Sequence, residues 1–189
     1  NVHCRLALAY AIDRETLANN ILGGTSQATY AVVPKGMLGY YPGKDNPHYD
    51  LAKARAEMAK CPGRTTPVEL AYSQSCCLGN GPAGSNTGQF IVQGLGDAGF
   101  NIKLKPISVD EWYTIVSHPL DQSHTQLVND NWVQDYPDPQ DFCTLLLRSG
   151  QQYAVGGWHN ATYDRLVDRA DVTLNRKERA ELYIRAQHI

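Results

Sequence analysis

The sequence predicts an α/β fold with a mostly parallel or mixed sheet flanked by helices, and three observations predict it. Stretches in which apolar residues alternate with polar ones, such as Val68, Leu70 and Tyr72, are interleaved with longer stretches whose apolar residues recur at helical spacing. Glycine and proline mark the joins, at Gly23-Gly24, Cys61-Pro62-Gly63 and Gly99. The composition is globular: 189 residues, 42% hydrophobic and 19% charged, which is enough chain to bury a core and gives no sign of disorder. Strands that alternate with helices form a sheet with helices on its faces.

Taken in order, residues 2–11 carry Val2, Leu6, Ala9 and Tyr10 on a helical stripe. Asp13 is placed to cap a second helix that runs to Leu22, where Gly23-Gly24 stops it. Residues 29–33 read as a strand ending at Pro34, and 36–47 as a glycine- and proline-rich loop containing Tyr40-Tyr41. Asp50 caps a helix through Lys60, where alanines mix with alternating charges, and 68–72 follow as a strand. Residues 79–84 are the loosest segment. From Ser85 or Asn86 a helix runs to Ala98, with Phe90, Ile91, Leu95 and Ala98 on one face. Ile102, Leu104 and Ile107 make the next strand, and 110–117 the next helix. Thr125 and Leu127 begin a strand leading toward Trp132. Helices over 139–147, 161–172 and 176–186 complete the chain, which reads as a single domain over 1–189.

Charge and hydropathy exclude some functions. A formal net charge of −2, with no basic run longer than two residues, argues against a nucleic-acid surface. No window approaches the roughly 18 consecutive apolar residues of a membrane span. Neither zinc-type cysteine and histidine spacing nor a paired histidine motif is present: His118 and His124 stand at no ligand-like spacing, and His3 and His159 are isolated. No metal or other cofactor is expected.

The most informative run is Asn131-Trp-Val-Gln-Asp-Tyr-Pro-Asp-Pro-Gln-Asp-Phe142. Pro137 and Pro139 fix their own φ and push Tyr136 and Asp138 toward extended conformations, so the loop is stiff. A stiff loop after a strand, carrying Trp132, Tyr136 and the carboxylates Asp135, Asp138 and Asp141, can present a polar binding edge. In a parallel sheet such loops lie at the carboxyl ends of the strands, where ligands bind.

This run resembles the Trp-x-x-Asp-Tyr-Pro-Asp-Pro-x-x-Phe signature of the family 5 extracellular solute-binding proteins, the peptide-, nickel- and sugar-capturing receptors of ABC importers. Arg5-Leu-Ala-Leu-Ala-Tyr-Ala-Ile-Asp-Arg-Glu15 resembles a second family block, and Trp158-His-Asn160 with Tyr163-Asp164 and Leu166-Val167 a third. Arg179-Ala-Glu-Leu-Tyr183 with Ala186-Gln187 resembles the helix that closes the second lobe. The matches run in order over nearly the whole chain.

The resemblance implies one lobe of a class II periplasmic-binding-protein-like fold. That lobe is the second, C-terminal-type one, trimmed from a longer receptor whose first lobe is built from both chain ends. It implies export to the periplasm or cell surface, a lipid anchor being possible in the full-length protein. The implied partners are a small solute of the oligopeptide kind, the missing first lobe and the membrane permease, with no nucleic acid. The expected ligand-binding set is Asn131, Trp132, Asp135 and Tyr136. In the resembling peptide receptors the aspartate of Trp-x-x-Asp pairs with the ligand's ammonium group, a charge-assisted bond that selects amines. Against this stands the reading that Asp135 ties its own turn. Trp132 is either an apolar wall and cation–π face for the ligand or a packing residue, and Tyr136 is similar. Asp138 and Asp141 fit service to the following helix.

The resemblance also departs from the family. Some oligopeptide receptors carry basic residues just before the tryptophan to neutralise a peptide carboxylate, whereas Asn129, Asp130 and Asn131 stand here. Peptides held at both termini are thereby in doubt, and longer peptides, amines, sugars and opines remain open. Nickel-complex binding is the metal alternative.

In an exported protein, the five cysteines imply one or two disulfides, with Cys61 bridged to Cys76 or Cys77 the favoured pair. Several of them could instead be buried small hydrophobes. An enzyme would need the aspartates as a carboxylate pair, or Cys76 or Cys77 with a histidine, and no Gly-x-Ser-x-Gly, phosphate loop or His-Glu-x-x-His supports it. No catalytic residue is expected. An interaction module built on Tyr40-Tyr41, Trp132 and Trp158 is the third class.

Overall fold

The computed structural model describes residues 1–73, 81–118 and 125–189. Cys76, Cys77, His124 and the start of the loose 79–84 segment lie outside the described residues. Contacts group the described chain into two compact units, one drawn from Asn1–Ala28, Pro47–Thr114 and 125–131, the other from Thr29–Asn46, 115–118 and Trp132–Ile189.

The first unit is the α/β part. Helix α1 (Val2–Ala11) starts at Asn1, whose side chain accepts the His3 N–H. Helix α3 (Leu51–Met58) starts at Asp50, whose carboxylate accepts the Lys53 N–H. The small residues Ala7 on α1 and Ala54 on α3 are fully buried, so the helices lie close. Their approach brings Cys4 to Cys61, and these two form the disulfide, with Cα atoms 4.8 Å apart. The expected bridge from Cys61 to Cys76 or Cys77 is therefore wrong: Cys61 is taken by Cys4 through helix packing that no spacing rule reports. Closing a loop across 57 residues restricts the unfolded chain by about 4 kcal/mol in the chain-entropy model.

Between them, α2 (Arg14–Thr16) is capped by Asp13, whose carboxylate accepts from the Thr16 N–H as expected. The expected helix to Leu22 is not regular, because Leu17–Ile21 form a π-helical turn in which the Leu22 N–H reaches back to Leu17. Asn19 and Asn20 are weak helix formers, and Gly23 and Gly24 turn the chain at positive φ, so the last turn opens.

The sheet is parallel, ordered β2 (Ile102–Ile107), β1 (Val68–Ser73), β3 (Leu127–Val128). Leu70 pairs with Leu104 on one side and Leu127 on the other. Pro106 is tolerated because β2 is at the sheet edge. Helix α4 (Gly81–Asp97) covers the sheet and begins earlier than expected, with 81–84 already helical. Leu95 and Ala98 are buried with Ala11 and Ala54, against Ile91, Ile102 and Leu127. Gly94 permits this approach: a Cβ there would lie 2.8 Å from the Ala11 carbonyl oxygen. Helix α5 (Val109–Val116) follows, its Trp112 indole donating to the Asn129 carbonyl at 3.1 Å. Strand β3 is short, so Trp132 is not part of it.

The second unit packs helices α6 (Gln140–Leu147), α7 (Ala161–Val172) and α8 (Arg176–Gln187) around Val33, Cys143, Tyr163, Val167, Leu182 and Tyr183. Asn160 and Asn175 cap α7 and α8 through their side-chain oxygens. The expected strand at 29–33 does not form. A strand needs a neighbour to receive its backbone bonds, and here Val33 is buried among helices with its N–H bonded to the Gln187 side chain. Its apolar pattern was satisfied by burial without a ladder.

Candidate functional site

The loop from Trp132 to Pro139 enters α6, and its geometry is set by that helix's first turn. Asp141 is 0% exposed, and one carboxylate oxygen, Oδ2, accepts the Trp132 indole N–H at 3.1 Å and the Asp135 backbone N–H at 3.0 Å. Its other oxygen, Oδ1, is buried with no hydrogen-bond partner among the described residues. The helix N-terminus favours a carboxylate at this position. Asp141 thus serves the loop behind it, a role that goes beyond the helix service expected of it.

Asp138 does serve the helix, accepting the Gln140 N–H at 2.9 Å. It also pairs with Arg179 on α8 at 2.7 Å. Arg179 is only 15% exposed in its side chain, and it donates further to the carbonyls of Ala170 and Asp171, which end α7. One guanidinium therefore ties the loop to two helices. Asp171 continues the network, accepting from the Tyr183 hydroxyl, from Thr144 at 3.0 Å and from Gln140 at 3.1 Å. Burial and the Asp171 bond push the Tyr183 phenol well above its usual range, so it stays a donor.

Of the expected binding set, Trp132, Asp135 and Tyr136 share this loop, whereas Asn131 falls in the first unit, its N–H bonded to Asp130 at 2.7 Å. Asp135 is exposed, and its carboxylate makes no hydrogen bond or ion pair with another described residue. The turn-tying role weighed for Asp135 is filled by Asp141. Trp132 is half-buried, its ring 4.9 Å from that of Tyr153 at a tilt of 58°. The Tyr136 hydroxyl donates to the Gln140 side chain at 3.1 Å. Desolvation, then the surrounding carboxylates Asp141, Asp138, Asp171 and Asp135, raise its pKa.

A cleft of about 420 Å³ opens beside the loop, lined by Lys35, Met37, Gln134, Pro137, Asp138 and Arg176. The Asp138 charge is matched by Arg179, while Lys35 and Arg176 are exposed with no ion pair to a described residue. Sequence reasoning missed both cations, as it missed Arg179 and the tie made by Asp141. Arg179 meets Asp138 across 41 residues, and the two cations of the cleft reach the loop only through the fold, so no local signal marks them. Cys143 is buried, and desolvation pushes its thiol up to about 12, which makes it inert. Cys76 and Cys77, named above as a possible nucleophile, are outside the described residues.

Comparison with known proteins shows the family and the fold. The model of the bacterial extracellular solute-binding proteins, family 5 middle, matches residues 1–154, and the chain belongs to that family. The probable D,D-dipeptide-binding periplasmic protein DdpA of Escherichia coli strain K12 is 24% identical over 188 residues, covering 98% of this chain and 35% of that protein. The oligopeptide-binding protein OppA of Bacillus subtilis strain 168 is 24% identical over 199 residues, covering 100% of this chain and 35% of its own length. The chain thus spans about a third of the curated relatives it matches. Among solved structures, the ABC transporter substrate-binding protein CtaP of Listeria monocytogenes superposes with a TM-score of 0.85 at 20% identity, over 99% of this chain and 37% of that one. The fold is that of a periplasmic binding protein, with a parallel sheet flanked by helices.

Proposed function

We propose that this chain is the second lobe of an extracellular receptor that captures oligopeptides or related amine-bearing solutes and delivers them to an ABC permease. Several relatives are named for peptide or dipeptide binding, which supports the substrate class. The observation that carries the reading is Asp135, an exposed carboxylate without a partner among the described residues, held next to Trp132 on a loop braced by Asp141 and Arg179. An ammonium group docking there makes a charge-assisted bond while Trp132 offers an apolar or cation–π face. Lys35 and Arg176 in the adjacent cleft suit an anionic group elsewhere on the same solute, supplying the positive charge absent upstream of Trp132.

The Cys4–Cys61 disulfide suits an oxidising compartment outside the cytoplasm. No helix among the described residues is long and apolar enough to cross a membrane. In the complete receptor two lobes close on the solute, so this lobe alone supplies only part of the contacts. The test is calorimetry on the longer receptor with Asp135→Ala. Losing a charged hydrogen bond costs about 1.5–3 kcal/mol, roughly tenfold to over a hundredfold in affinity for a peptide with a free amine. Unchanged affinity would remove Asp135 from the site.

A further inference from the structure

The buried carboxylate of Asp141 is more than a cap. Its side chain is fully buried, and both donors it satisfies, the Trp132 indole and the Asp135 amide, belong to the candidate binding loop. Its second oxygen is left without a partner among the described residues. Desolvating a carboxylate and leaving half of it unsatisfied is costly, and a helix start needs no such arrangement, since Asp138 already accepts the Gln140 N–H. An apolar side chain would avoid that cost but would leave the Trp132 indole and the Asp135 amide without an acceptor. The arrangement makes sense when its product is considered. One oxygen fixes the plane of the Trp132 ring and the backbone at Asp135 together, and by holding the turn itself it leaves the Asp135 carboxylate unengaged.

We propose that Asp141 is the positioning residue of the binding loop: it pre-sets Trp132 and Asp135 in one geometry before a ligand arrives, so that the amine-bearing group meets a formed site. This rests on the reading of Asp135 as the ammonium contact. What matters is the acceptor, not the charge, because both bonds to Asp141 come from neutral N–H groups. Pre-organisation of this kind acts on affinity by removing the ordering cost at binding.

The acceptor requirement separates two variants. Asp141→Asn keeps an oxygen for both donors, while Asp141→Leu keeps the branched outline with a larger volume and removes the acceptor. Both are destabilising, so thermal midpoints alone do not distinguish positioning from plain structure. Binding is therefore measured on the folded longer receptor at low temperature, with a peptide bearing a free amine. The expected result is that Asp141→Asn stays within about threefold of the parent while Asp141→Leu loses about tenfold to a hundredfold. In ¹H–¹⁵N spectra of this chain, the Trp132 indole signal is protected from exchange, keeps that protection in Asp141→Asn and loses it in Asp141→Leu. The double variant Asp135→Ala with Asp141→Leu loses less affinity than the two single losses combined, because part of the Asp141 effect acts through Asp135. Full affinity in Asp141→Leu, with Asp135→Ala still impaired, would overturn the positioning role and leave the ammonium site standing. Full affinity in Asp135→Ala would instead overturn the site itself.

Discussion

Arg179 shows how much one side chain carries in this molecule. It joins the candidate binding loop through Asp138 and satisfies two carbonyls at the end of α7, from a largely buried position. Removing it strands a carboxylate and two helix-end acceptors at once, so Arg179→Met is expected to cost about 2–4 kcal/mol of unfolding free energy. Arg148 is the control. Its two bonds to Asp168 are equally well formed, at 2.6 and 3.1 Å, but lie at the surface, and Arg148→Met is expected to cost less than about 1 kcal/mol. Urea unfolding measures both, and equal losses would contradict the account of Arg179. At this scale the sequence was informative about what the loop displays and silent about what holds it. Trp132, Asp135 and Tyr136 stand at a recognisable spacing in a proline-stiffened run. Asp141 looks like an ordinary acid in a first helical turn, and its backward reach to Trp132 and Asp135 exists only once the loop has folded. The pair Arg179 and Asp138 is 41 residues apart, beyond any local pattern.

At the scale of elements, helix α4 depends on glycine where it touches its neighbours and not elsewhere. Alanine is a better helix former than glycine by about 1 kcal/mol, so each replacement starts with a gain. At Gly96 nothing lies within 4 Å of a new Cβ, and Gly96→Ala is expected to stabilise by about 0.5–1 kcal/mol. At Gly94 the Cβ meets the Ala11 carbonyl oxygen at 2.8 Å, backbone that cannot rotate away, and a net loss of about 1–3 kcal/mol is expected. Thermal unfolding of the two variants checks the sign at each site, and a Gly94→Ala protein as stable as Gly96→Ala would contradict the packing. Elements with long amphipathic faces were legible: α4 buries Leu95, and Ala98 just past its end is buried with it, as their spacing requires. The segment 29–33 misled because Ala31-Val32-Val33 has the composition of a strand, and composition does not report whether a partner strand is available. The Cys4–Cys61 bridge was hidden for a related reason, since the contact of α1 with α3 is tertiary.

At the scale of the molecule, membership of the family 5 solute-binding proteins goes with a fold that superposes on a substrate-binding protein at a TM-score of 0.85, and the chain spans about a third of the length of the curated relatives it matches. In the receptor we propose, affinity comes from two lobes closing, with Asp135 contributing selectivity for a cation. The most direct measurement compares the longer receptor's affinity for one peptide with a free amino terminus against the same peptide acetylated there. Acetylation removes the charge and leaves the rest of the ligand almost unchanged, so the expected loss is about tenfold or more in the parent and little or none in Asp135→Ala. Equal affinity for the two peptides in the parent would contradict the claim that this lobe recognises an ammonium group through Asp135.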